Sequence, residues 1–199
     1  MTETRKYELK ERAAKQEGTR QRIVDATVTL HREVGPARTT ISAVAERAGV
    51  QRLTVYRHFP DEAALIGACA SDWQAAHPVP DPRRWPEIDD PEERLRTALR
   101  DLYRYYGSDD AMIANVRRDA PLLPALAATM RDYPGYFALV LDVLGKGWGA
   151  RGRNRKLLLA ALSHVLGFEA WHSLEREQGL APDDAVEVAV RAVRGAAGR

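Results

Sequence analysis

Cysteine occurs once in this 199-residue chain, at Cys69, which excludes an intrachain disulfide. A single thiol fits a reducing compartment, and the cytoplasm is the expected location. No run of about 18 apolar residues is present to cross a membrane, and no N-terminal apolar stretch resembles a signal peptide. No segment alternates apolar and polar residues as a strand would, and no internal repeat stands out. The common catalytic motifs are missing too. Residues 145–152 are glycine-rich and basic, but Lys146 is followed by Gly147 where a phosphate loop needs Ser or Thr. His164 and His172 share a helix face without the His-Glu-x-x-His spacing of a zinc site. No Gly-x-Ser-x-Gly elbow occurs, and Cys69 has no obvious activating neighbour. Catalysis has no positive support, and neither metal nor cofactor is expected.

What is present is charge asymmetry. The net charge is only +2, but residues 1–60 hold 12 Lys and Arg against 7 Asp and Glu, and the remainder 18 against 21. A basic end on a mildly acidic body fits a nucleic-acid module joined to something else.

Within the basic end, Thr40 to Phe59 reads as two short helices and a tight turn. Thr40 is a candidate N-cap, and Ile41, Val44, Ala45 and Ala48 recur at helical spacing. Ala45 is small enough for two helices to cross there. Gly49 suits the left-handed turn that ends a helix, and Val50 is expected in the angle that follows. The second helix should run from about Gln51 to His58, with Val55 and Phe59 inside and Pro60 stopping it. Arg52, Leu53, Thr54, Tyr56, Arg57 and His58 include its outer positions. Arg52 and Thr54 lie near its start, where Arg pairs bidentately with guanine and a Thr methyl touches thymine. Tyr56 and His58 carry donors suited to phosphate. An ordinary helical hairpin with a polar face would have the same spacing.

The segment from about Thr19 to Ala68 resembles the DNA-binding domain of the tetracycline-repressor (TetR) family of bacterial regulators. The resemblance is carried by Ile41-x-x-Val44-Ala45, Ala48-Gly49-Val50 and Thr54-Val55-Tyr56-x-His58-Phe59. It implies base or backbone contacts from Arg52, Leu53 and Thr54, and phosphate contacts from Thr40, Tyr56 and His58. It also implies an all-α fold: an N-terminal three-helix helix-turn-helix domain followed by a helical ligand-binding and dimerisation domain. Two positions depart from the family pattern. Glu62 stands where a phosphate-anchoring Lys is common, and Leu53 where a small residue is common.

The chain divides accordingly. Residues 1–18 form a polar arm, either solvated or reaching DNA through Arg5, Lys6, Lys10, Arg12 and Lys15. Residues 19–68 form the reading domain, with Thr19 capping its first helix and a linking helix running to about residue 76. Residues 77–199 form the helical body, beginning with a proline-rich linker over 77–91. Pro134-Gly135 is expected to kink or split a helix, and Asn154 to Glu177 to form one long helix. The last two helices are apolar nearly all round, so each needs cover on more than one side. Leu158, Leu162, Val165, Val186, Ala189, Val190 and Val193 are the candidate dimer face, which would give a four-helix homodimer interface as the family resemblance implies. Burial within one subunit is the alternative. Met112, Tyr136, Phe137, His164 and Phe168 are the candidate contacts for an apolar or aromatic effector. The expected function is a ligand-responsive repressor on a palindromic duplex operator. The alternative is a helical small-molecule- or partner-binding protein with weak or lost DNA binding.

Overall fold

The computed structural model describes residues 2–198; at positions 2–6, 8 and 9 the description covers the backbone alone. Arg5 and Lys6 therefore lie outside the described side chains. Among the described residues there are eleven α-helices and no strand. They are α1 (Thr2–Glu33), α2 (Ile41–Ala48), α3 (Arg52–His58), α4 (Glu62–Ala76), α5 (Pro91–Ser108), α6 (Asp110–Asp119), α7 (Pro124–Thr129), α8 (Tyr133–Leu144), α9 (Gly152–Val165), α10 (Phe168–Trp171) and α11 (Pro182–Ala197).

The helices divide into two compact units. Of the described chain, the first contains residues 2–76 together with 110–131, so α6 and α7 pack with the reading head although the sequence suggests a continuous body over 77–199. The head's core is Ile23, Val24, Leu30, Val44, Val55, Phe59 and Leu65, all buried. Each such side chain stabilises the fold by about 1.5–3 kcal/mol relative to exposure. Cys69 belongs to this core, and desolvation pushes its thiol up to about 12, which makes it an unreactive packing residue.

Thr19 does not cap α1. It sits in the interior of a continuous helix, and its hydroxyl donates to Lys15 O at 2.9 Å. The preceding Lys, Glu, Arg, Ala and Gln residues are strong helix formers, so nothing stops the helix short of Gly35. The arm is thus part of α1, and Lys10, Arg12 and Lys15 are exposed on it.

The second unit contains residues 77–109 and 132–198 of the described chain. Its proline-rich start is anchored. Residues Pro82–Glu87 form a 3₁₀ turn whose Trp85 is buried and donates to Asp101 Oδ2 at 3.1 Å. Asp90 caps α5, accepting from the amides of Glu92 and Glu93. Arg94, though charged, is buried because it donates to the carbonyls of Ile88, Asp89, Val143 and Lys146. The segment before Pro134-Gly135 is split rather than kinked: α7 ends at Thr129 and α8 begins at Tyr133, with Pro134 in its first turn, where its missing N–H costs nothing.

The long helix expected over 154–177 is broken into α9, α10 and a π-helical stretch, His172–Glu177. The break is chemically supported. Where α9 ends, the Tyr103 hydroxyl donates to Val165 O at 2.9 Å and the Tyr106 hydroxyl to Leu166 O at 2.7 Å. These two α5 phenols satisfy carbonyls that a helix end leaves open.

Candidate nucleic-acid interface

The reading surface is assembled by local capping. Thr40 Oγ1 accepts from the Ala43 amide at 3.1 Å and fixes the start of α2. Gly49 ends α2 in the left-handed region (φ 66°), a conformation that favours glycine. The Val50 amide then returns to Ala45 O at 2.9 Å, closing the turn. Val55 and Phe59 are buried against the rest of the head, and the Arg20 guanidinium lies 5.0 Å from the centre of the Phe59 ring. These contacts fix the rotation of α3.

That rotation decides which side chains face outward. Arg52, Leu53, Tyr56 and Arg57 are exposed, and Thr54 and His58 are half-buried. Leu53, at 78%, is the most exposed of the large hydrophobic side chains among the described residues. Arg52 and Arg57 form no ion pair or hydrogen bond among the described residues. Other arginines of the same unit are paired: Arg47 with Glu33 at 2.6 Å, and Arg118 with Asp119 at 2.7 Å. Arg47 holds the Glu33 carboxyl below its usual range, chiefly through that hydrogen bond. A helix face carrying two unpaired guanidinium groups, a phenol and an exposed aliphatic side chain can bind an anionic backbone and touch base edges.

A second feature of the head was not legible in the sequence. Helix α6 grips the end of α1 and the turn before α2. Asn115 Nδ2 donates to the carbonyls of His31 and Arg32 at 3.0 and 2.9 Å. Arg118 donates to Val34 O, and the Ala37 amide donates to Asp119 Oδ2 at 3.0 Å. Gly35, at φ 93°, lies so close that a Cβ there would sit 2.5 Å from Asp119 Oδ2. These partners are more than eighty residues apart, beyond the reach of periodicity.

The candidate effector residues are divided between the two units. Met112 is buried in the first unit, whereas the others belong to the second. His164 is exposed on α9. Tyr136 and Phe137 make an edge contact at 5.3 Å on α8, and the Tyr136 hydroxyl donates to Pro80 O. Phe168 lies 5.6 Å from Tyr106 and 5.3 Å from Trp171, and Tyr105 carries this cluster on toward α8, 5.7 Å from the Tyr106 ring and with its hydroxyl 3.1 Å from that of Tyr133. Trp171 is fully buried, and its indole N–H has no hydrogen-bond partner. A cleft of about 660 Å³ elsewhere in this unit is lined by Arg100, Tyr103, Arg104, Glu175, Asp183 and Val186, and by none of the five candidate effector residues.

The candidate dimer residues require a correction. Leu158, Leu162, Val165, Val186, Ala189, Val190 and Val193 are all buried within the single chain. They pack α9 and α11 against each other, and α11 also packs against α5. The outward positions on the same helices are Leu157, Ala160 and His164 on α9, and Val188 and Ala192 on α11. Leu157 is 41% and Val188 46% exposed. No group of three or more His, Cys, Asp or Glu among the described residues could hold a metal ion. Among the described residues no single helix is long and apolar enough to cross a membrane.

Comparison with known proteins agrees with this geometry. The family described as bacterial regulatory proteins, tetR family, matches residues 23–69, which run from α1 into α4. The HTH-type transcriptional repressor KstR of Rhodococcus jostii (strain RHA1) is 31% identical over 121 residues, covering 60% of this chain. The match spans 56% of that repressor's own length. Among solved structures, a TetR-like transcriptional regulator from Rhodococcus sp. RHA1 superimposes with a TM-score of 0.66 at 19% identity, covering 91% of this chain and 97% of that one. The fatty acid degradation regulator FadR from Bacillus halodurans gives 0.59 at 19% identity, covering 87% and 93%. At these identities the structures establish a shared fold.

Proposed function

We propose that this protein, whose residues 23–69 match the tetR family of bacterial regulatory proteins, is a cytoplasmic, homodimeric, ligand-responsive repressor that binds a palindromic operator. One observation carries the DNA-binding reading: the outward face of α3 presents Arg52 and Arg57 with no intramolecular anion, beside exposed Leu53 and Tyr56. Phosphates and guanine edges are the partners that such a face lacks. Thr40, Tyr56 and His58 position the head on the backbone, while Arg52, Leu53 and Thr54 read bases.

Dimerisation pairs the outward stripes of α9 and α11, with Leu157, Ala160, Val188 and Ala192 at the seam. A two-fold axis then spaces two α3 helices for half-sites about 34–36 Å apart, or a multiple of that. The effector binds in the second unit and is apolar or aromatic, as its aromatic content favours. It releases DNA because it binds better to the dimer state whose heads no longer match the operator spacing. Glu62, exposed where the family often carries Lys, supports the second reading, a helical binding protein with weak DNA affinity.

Fluorescence anisotropy on a mixed-sequence duplex separates these readings. The repressor reading predicts affinity that falls steeply with salt and a shallower salt slope for Arg57→Ala. Salt-independent or undetectable binding by folded protein favours the second reading.

A further inference from the structure

The reading head contains a cavity of about 380 Å³ that the DNA-binding face does not account for. Its walls come from α1 (Thr27, His31), from the turn that follows (Pro36, Thr39) and from α4 (Glu62, Ile66). Thr40 and Tyr56 also line it, so it communicates with two side chains of the proposed DNA surface.

The polar groups of this lining mostly accept hydrogen bonds. The Thr27 hydroxyl donates to Ile23 O at 2.7 Å, and the Thr39 hydroxyl donates to Gly35 O at 2.9 Å. A hydroxyl whose proton is committed offers only lone pairs to a guest. The His31 side chain is 5% exposed and makes no hydrogen bond among the described residues. Burial holds it neutral, so one of its ring nitrogens is an acceptor. Glu62 adds a carboxylate, the only formal charge on the lining when His31 is neutral. The hydroxyls of Thr40 and Tyr56 can turn to donate or accept. The rest of the wall is aliphatic, with Ile41, Val44, Leu65 and Ile66 prominent.

We propose that this cavity is a binding site for a small organic cation, an ammonium or amidinium group on a short apolar body. The cationic head donates to Glu62, to the unpartnered His31 and to the threonine lone pairs, and the body lies on the aliphatic wall. An anionic guest would meet the Glu62 carboxylate and find few donors. A metal ion lacks ligands, since the described residues hold no cluster of three His, Cys, Asp or Glu. The volume falls in the range of about 300–1,000 Å³ usual for small-molecule sites. The site needs neither DNA nor the effector site of the second unit, so it stands or falls independently of the proposed repressor function.

The test uses the full-length protein and benzylammonium chloride as probe, with benzyl alcohol as the uncharged isostere. Benzylammonium should shift the NMR signals of the His31 imidazole and of the Thr39 and Thr40 amides saturably. Benzyl alcohol should bind at least tenfold more weakly. Glu62→Gln, at an exposed position on the first turn of α4, should weaken benzylammonium at least tenfold and leave benzyl alcohol unchanged. Two results would overturn the proposal. One is the absence of saturable shifts at these nuclei up to about 10 mM probe. The other is equal benzylammonium affinity in the Glu62→Gln protein, with its fold confirmed by an unchanged melting temperature.

Discussion

Protonation of His31 should destabilise the head. The imidazole is 5% exposed, and burial lowers its pKa from 6.5 to about 4, with the nearby Asp119 carboxylate opposing that shift. Asp119 is itself paired with Arg118, and Glu62 lines the same cavity as His31. The unfolded chain takes up the proton near pH 6.5 and the folded one only near pH 4, so stability is full above 6.5 and is lost as pH falls toward 4. At 1.36 kcal/mol per pKa unit, the loss attributable to this group is about 2.5 kcal/mol at pH 4.5 and about 3.4 kcal/mol below pH 4. The substitution His31→Gln removes the titration and keeps a polar side chain of similar length. Urea denaturation of both proteins at pH 7.5 and 4.5 isolates the effect, because the other carboxylates are common to both. The variant should lose about 2.5 kcal/mol less than the parent over that interval. Parallel losses in the two proteins would refute the claim that His31 is held neutral by burial.

Other perturbations test other parts of the account. Arg52→Ala should change which sequence is preferred, costing about 1–3 kcal/mol at one base pair, whereas Tyr56→Phe should weaken binding to all duplexes alike; competition anisotropy on operator variants distinguishes them. Gly35→Ala should destabilise the head by about 1–3 kcal/mol in urea titrations, since it forces a side chain into a positive-φ position beside Asp119. Val188→Glu should yield folded monomers in analytical ultracentrifugation, while Leu158→Ala should cost about 2–5 kcal/mol of stability, because the first side chain faces out and the second is fully buried.

The helix-turn-helix was legible because its determinants are local. Thr40 as cap and Gly49 in the left-handed turn act within a few residues of their partners, and the four-residue spacing of Val55 and Phe59 marks the inner side of α3. Thr19 shows the limit of such signals. A threonine preceding an apolar stripe reads as a cap, yet it also fits a helix interior by bonding back to Lys15, and the preceding helix formers decide the outcome. On α11, Val186, Val188, Val190 and Ala192 are nearly equivalent in composition, so the sequence could not say which faced the subunit's own core. Packing against α5 and α9 resolved that, burying Val186 and Val190 and leaving Val188 outside. The effector candidates were chosen by residue type on segments, whereas the aromatic path from Phe168 through Tyr106 and Tyr105 to Tyr133 is a tertiary property. Long-range polar contacts were equally hidden: nothing local marks Asn115 or Asp119 as holding the turn beside Gly35.

The central claim is that two copies of α3 read one palindrome. Selection of bound sequences from a random duplex pool, with purified protein at physiological salt, tests it most directly. The account predicts enrichment of a two-fold symmetric site whose half-sites are separated by a whole number of helical turns, and loss of that enrichment in Arg52→Ala. Recovery of an unenriched pool by folded, dimeric protein would contradict it.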